Sequence, residues 1–146
     1  MSNIIPLTPN KDIYWIGTQD GISIFNTKDN TFSRFENEEI NQMFNKNRVY
    51  DIIQSDSGDF WVGTKYGLHN IKDDTLISYL AEGNIENSIS SNLVYDLLID
   101  SNKNLWIATD NGLNKFNLES KEILQYFKTD YQCEDCLSSN EILCLY

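Results

Sequence analysis

The sequence predicts an all-β protein built from one four-stranded unit repeated about three times, and three observations predict it. Trp15, Trp61 and Trp106 stand 46 and 45 residues apart. Each opens the same phrase: Trp15-Ile-Gly-Thr-Gln-Asp-Gly21-Ile, Trp61-Val-Gly-Thr-Lys-Tyr-Gly67-Leu and Trp106-Ile-Ala-Thr-Asp-Asn-Gly112-Leu. Upstream, Asn47-Arg-Val-Tyr-Asp-Ile-Ile matches Asn92-Leu-Val-Tyr-Asp-Leu-Leu, and Asn140-Glu-Ile-Leu-Cys-Leu-Tyr146 repeats the phrase in truncated form. Finally, the apolar runs are short, bounded by Gly, Asn and Asp, and nowhere show helical periodicity at useful length.

Each unit reads in the same order. The first strand is an apolar run, Val49 to Ile53 or Val94 to Ile99, with the little alternation expected of a strand covered on both faces. A polar turn follows, Ser55 to Asp59 or Asp100 to Asn104. The second strand carries the tryptophan, as in Phe60 to Thr64 and Leu105 to Thr109. Asp20-Gly21, Tyr66-Gly67 and Asn111-Gly112 then mark a tight hairpin in which glycine supplies a positive φ. The third strand is Ile22 to Phe25, Leu68 to Ile71 or Leu113 to Phe116, and a more polar fourth is Thr31 to Phe35, Leu76 to Leu80 or Ile123 to Phe127. Four antiparallel strands per unit of this length describe a β-propeller blade. The blades fall at about 2–36, 47–81 and 92–128, with an extra strand at 140–146, in a single repeat array over 1–146. The small residue after each Trp-Ile or Trp-Val (Gly17, Gly63, Ala108) is expected to let the next blade approach closely.

Composition narrows function by exclusion. The chain has 146 residues, 40% hydrophobic, with 18 aromatics, enough for one folded domain. A formal charge of −11 repels phosphate backbones and anionic lipid, so neither nucleic acid nor a membrane surface is an expected partner. No apolar run is long enough to insert in a membrane, and the first residues carry neither the basic nor the apolar region of a secretory signal. Cys133, Cys136 and Cys144 are an odd set clustered near the end of the sequence, which is no disulfide framework; Cys133-Glu-Asp-Cys136 lacks the second ligand pair of a zinc site.

The combined phrase Asn-x-Val-Tyr-Asp-Ile, then Asp-Ser-x-Gly, then Trp-Val-Gly-Thr-x-x-Gly-Leu resembles the two-component regulator propeller repeat, and the resemblance covers nearly the whole chain. It implies a sensor region of the kind found in histidine kinases, hybrid regulators and diguanylate cyclases. It also implies an extracytoplasmic location and a fragment or stand-alone relative without an output domain. The first unit departs from the pattern: its inner strand, Ser2 to Leu7, is degenerate and holds Pro6.

Residues that recur in every unit read as architecture, which assigns Trp15, Trp61, Trp106, Gly21, Gly67 and Gly112 a structural role, with the tryptophans buried at equivalent positions. Residues that vary at the turns are the candidate ligand contacts: Gln19, Asp20, Lys65, Tyr66, Asp110 and Asn111, together with the only histidine, His69. Asp100-x-Asn102-x-Asn104 resembles the start of a calcium loop, but Leu105 and Asn111 stand where that loop needs Gly and Glu, leaving at most a weak cation site with Asp56 and Asp59. Asp51 and Asp96 occupy equivalent positions and are expected to accept structural hydrogen bonds. No catalytic residue, metal or cofactor is expected. The sequence thus reads as a sensory module binding a small molecule, saccharide or protein partner; a propeller-scaffold enzyme of lyase or lactone-hydrolase type and a pure assembly module are the alternatives. Three blades do not close a ring, so a homodimer or further blades are expected, with Glu141 to Tyr146 exchanged into a partner's first blade where Ser2 to Leu7 leaves room.

Overall fold

Three four-stranded antiparallel sheets follow one another along the chain, each in sequential order. The computed structural model describes residues 12–83, 88–130 and 136–146 and the strand backbone at 4–6; Cys133 and the rest of the Ser2 to Leu7 stretch lie outside the described residues. Blade 1 comprises β1 (Ile4–Pro6), β2 (Ile13–Thr18), β3 (Gly21–Asn26) and β4 (Thr31–Ser33). Blade 2 comprises β5 (Val49–Gln54), β6 (Phe60–Thr64), β7 (Gly67–Lys72) and β8 (Thr75–Tyr79). Blade 3 comprises β9 (Val94–Ile99), β10 (Asn104–Thr109), β11 (Gly112–Asn117) and β12 (Glu122–Phe127). The sheets are propeller blades that leave the ring open.

Face-to-face stacking explains the composition of the second strands. Every residue of β6 is buried, because Phe60 and Val62 pack toward blade 1 while Trp61 packs into the cluster shared with blade 3. Trp15 stacks on Phe60 with ring centres 4.1 Å apart, and Trp61 meets Phe116 edge-on at 5.2 Å. The small residue of each phrase sits where the next inner strand arrives. A Cβ on Gly17 would lie 2.7 Å from Val49 Cγ1, and one on Gly63 would lie 2.9 Å from Val94 Cγ1. Asp51 ties blades 2 and 3 together: its Oδ1 accepts from Ile52 N (2.8 Å) and its Oδ2 from Leu97 N (2.9 Å).

Four features differ from the sequence expectation. A helix, α1 (Glu38–Phe44), follows blade 1, capped by the Asn37 side chain, which accepts from Glu39 N and Ile40 N. Its seven residues bury only Ile40 and Phe44, one turn apart, too short a signal for a periodicity window. Trp106 is only half-buried, because its blade has no fourth blade stacked on it; it lies against Phe127 of its own sheet, and its Nε1 donates to Asp100 Oδ2. The inner position of blade 1 is not vacant: β1 pairs there, Ile5 opposite Trp15. Residues 140–146 form no sheet ladder, since no second strand is beside them, but they lie on blade 3 through Ile142 N donating to Thr109 O (2.9 Å) and Leu145 N donating to Asp96 Oδ2 (2.5 Å).

Candidate functional site

The hairpins between the second and third strands all emerge at one end of the stacked sheets, on a common frame. In each, the threonine of the phrase holds both sides of the turn. Its hydroxyl donates to the glycine carbonyl (Thr18 to Gly21, 2.9 Å; Thr64 to Gly67, 3.0 Å; Thr109 to Gly112, 2.8 Å). It also accepts the N–H two residues on, from Asp20, Tyr66 and Asn111. The three glycines have φ of 115°, 120° and 110°. At Gly67 a side chain would also collide with the outer strand, with Cβ 2.6 Å from Leu80 Cδ2 and 3.0 Å from Tyr79 O.

This frame presents Gln19, Asp20, Lys65, Tyr66, Asp110 and Asn111 to solvent, and the Lys65 ammonium lies 5.4 Å from the centre of the Tyr66 ring. Asn111 also secures the rim, donating from Nδ2 to Ser90 O (3.0 Å). His69 does not join them. It is fully buried, with Nε2 3.2 Å from Thr64 Oγ1, Nδ1 2.9 Å from Ser78 Oγ and the Phe44 ring against it. Burial pushes its pKa down to about 4. Its counterpart in blade 3 is Asn114, also buried and bonded to the connector through Ser90. The position belongs to the core beneath the rim, which a lone histidine in a variable slot does not reveal.

Two residues missing from the sequence-derived set complete the rim. The inner strands of blades 2 and 3 each carry a β-bulge, between Val49 and Asp51 and between Val94 and Asp96, and Tyr50 and Tyr95 are the extra residues. A bulge re-aims a side chain out of the pleat, and here it leaves both tyrosines half-exposed, edge-to-face at 5.3 Å. Arg48 lies 4.8 Å over the Tyr50 ring, and its carbonyl accepts from Lys65 N (2.9 Å), joining inner strand and hairpin on the basic side. Tyr95 faces the acidic side: burial, then Glu141 and Asp110, raise its pKa. The signal was present as the recurring Val-Tyr-Asp, but reading the run as buried on both faces concealed it.

The opposite end is neutralised. Asp59 is buried against Lys72 (3.4 Å) and Lys121 (4.0 Å), a lysine from each of two blades. Burial opposes its ionisation, but the Ser57 hydroxyl and the two ammonium groups outweigh that, and its pKa is lowered. Asp100 is committed to its own turn: the Asn104 side chain foremost, then backbone N–H groups and Trp106, outweigh the opposing effect of burial and hold its pKa down to about 2. Among the described residues no group of three or more His, Cys, Asp or Glu gathers to hold a metal, and no helix is long and apolar enough to cross a membrane. Cys144 is a free, exposed thiol.

The sequence model of the "Two component regulator propeller" family matches residues 43–66 and 88–111, each spanning an inner strand, its turn and the tryptophan phrase. Over these two spans the chain resembles two-component regulator propeller repeats. Solved structures are similar in fold to this propeller array. The extracellular domain of the putative hybrid two component system BT3049 from B. thetaiotaomicron is 19% identical with a TM-score of 0.65, over 91% of this chain and 18% of that one. PorZ, a bacterial surface component of the type-IX secretion system of Porphyromonas gingivalis, is 22% identical with a TM-score of 0.68, over 99% and 23%. Virginiamycin B lyase from Staphylococcus aureus is 18% identical with a TM-score of 0.56, over 88% and 41%. The chain therefore spans between 18% and 41% of the length of these structures. No curated protein matches the sequence.

Proposed function

We propose that these blades are part of a sensory propeller that binds a small polar ligand, a saccharide foremost, at the hairpin rim, with no catalysis of its own. The observation that carries this reading is the pair of bulged tyrosines, Tyr50 and Tyr95, flanked by Arg48 and Lys65 on one side and by Asp110 and Glu141 on the other. Half-exposed rings give a saccharide an apolar face to stack on, and the flanking charges give its hydroxyls directional partners. Resemblance to the sensor regions of two-component systems supports a signalling context. The lyase likeness is one of fold, and fold does not carry chemistry.

The test is a thermal-shift screen of the chain against neutral and acidic oligosaccharides, short peptides and divalent-metal chlorides. An oligosaccharide raises the melting temperature, and Tyr50→Ala or Tyr95→Ala reduces that rise, measured against each variant's own unliganded melt. A silent screen, or a rise indifferent to both variants, overturns the reading. Turnover of a screened compound replaces it with the enzyme.

A further inference from the structure

The tryptophans of blades 2 and 3 each carry an ammonium group of this chain over the ring, and Trp15 does not. Lys121, in the hairpin between β11 and β12, lies 4.6 Å over the Trp61 ring while pairing with Asp59 (4.0 Å). Lys115, opposite Trp106 on the neighbouring strand, lies 5.3 Å over that ring. At Trp15 the residue opposite is Ile24. The hairpin that would bring a counterpart of Lys121 to Trp15 is two residues shorter. Asp73 and Asp74 alone separate the paired Lys72 and Thr75, whereas Leu118 to Lys121 separate Asn117 and Glu122. Two carboxylates thus replace the loop that bears the ammonium.

The space left between blades 1 and 2 is a cavity of about 390 Å³, with Trp15, Phe35, Phe60, Asp73 and Asp74 in its walls. Trp15 and Phe35 meet at 88° with ring centres 4.8 Å apart, so they form a corner and not a flat stack. Asn37 Nδ2 donates to Asp74 O (3.0 Å), which holds the acidic first turn of α1, Glu38 and Glu39, beside the same hairpin. Lys72 also lines the cavity, but its ammonium pairs with Asp59 (3.4 Å). The volume is that of a small-molecule site. Aromatic rings beside carboxylates favour a cation with an apolar body. We propose that this cavity binds a small alkylammonium ion, held by the rings and by Asp73 and Asp74 as the Lys121 ammonium is held by Trp61 and Asp59. The site lies at the end of the blades away from the hairpin rim and takes a ligand of different charge from the saccharide proposed there.

Amide and indole spectra of the ¹⁵N-labelled chain test this, since each of the three tryptophans gives its own indole N–H signal and Trp15→Phe identifies the first. The probes are n-butylammonium chloride, which is the head and stem of a lysine side chain, and choline chloride. The controls are 1-butanol, which lacks the charge, and potassium chloride at the same ionic strength. The Trp15 signal moves saturably with an ammonium probe, roughly tenfold or more tighter than with 1-butanol, and does not saturate with potassium chloride. Asp73 and Asp74 both have positive φ, which Asn tolerates, so the double variant Asp73→Asn/Asp74→Asn keeps the turn. It weakens ammonium binding roughly tenfold. A Trp15 signal that saturates with neither ammonium probe, equal binding of 1-butanol, or parental affinity in the double variant overturns the proposal. So does a response centred on Trp61 or Trp106. If the double variant changes the unliganded spectrum beyond its hairpin, the comparison of ammonium with 1-butanol on the parent chain decides alone.

Discussion

His69 shows how one repeat position can hold different chemistry without becoming a site. Its imidazole sits between two hydroxyls, sealed by Phe44, and burial holds its pKa near 4 against an ordinary value near 6.5. The neutral ring is thus favoured in the folded state, so the unfolded chain binds the extra proton between those values. Its contribution to stability is fully present above about pH 6.5 and is lost as the pH falls toward 4. A depression of this size amounts to about 3 kcal/mol. Urea unfolding at a series of pH values should show the loss, and His69→Asn, which installs the residue found at Asn114, should remove the slope above pH 4. The further loss expected below that range comes from carboxylates held below their ordinary pKa, Asp59 and Asp100 among them.

At the level of the strand and its connectors, equal residues have unequal worth because their neighbours differ. Trp61 is fully enclosed between blades 2 and 3, whereas Trp106 borders the open face. Trp61→Ala should cost about 3–5 kcal/mol through the cavity it leaves, and Trp106→Ala less than half of that, both read from urea unfolding. The asparagines of the inner-strand phrase diverge in the same way. Asn92, partly buried, accepts the Ala81 N–H, but both polar atoms of the more deeply buried Asn47 side chain lack a partner, because α1 occupies the connector after blade 1. Asn92→Ala should therefore cost about 1–2 kcal/mol by orphaning that N–H, while Asn47→Ala should be near neutral. Strands, hairpins and the close approach at Gly17 and Gly63 were legible because they recur in register. The helix was not, because seven residues with one buried pair carry too little periodicity. The bulges at Tyr50 and Tyr95 were not, because the recurring Val-Tyr-Asp that marks them lies inside an apolar run that reads as a regular strand buried on both faces.

Across the whole molecule the repeat separates frame from surface. Threonine, glycine and tryptophan fix three hairpins and their blades in the same geometry, and the exposed pairs at the tips are free to differ in charge and shape. The turn pairs were visible beforehand because they vary within a repeating phrase; the tyrosines became visible only once the bulges turned them onto the same rim. The acid-rich surface, at a net −11, leaves Arg48 and Lys65 as a local basic edge beside those rings. The central claim is that binding takes place at this end and not at the salt-bridged end around Asp59. Amide chemical-shift mapping of the ¹⁵N-labelled chain, titrated with the oligosaccharide giving the largest thermal shift, tests it most directly. The account predicts changes concentrated at residues 48–50, 64–67, 94–95 and 109–111. Changes concentrated instead at the turns of residues 55–59 and 100–104 would contradict it.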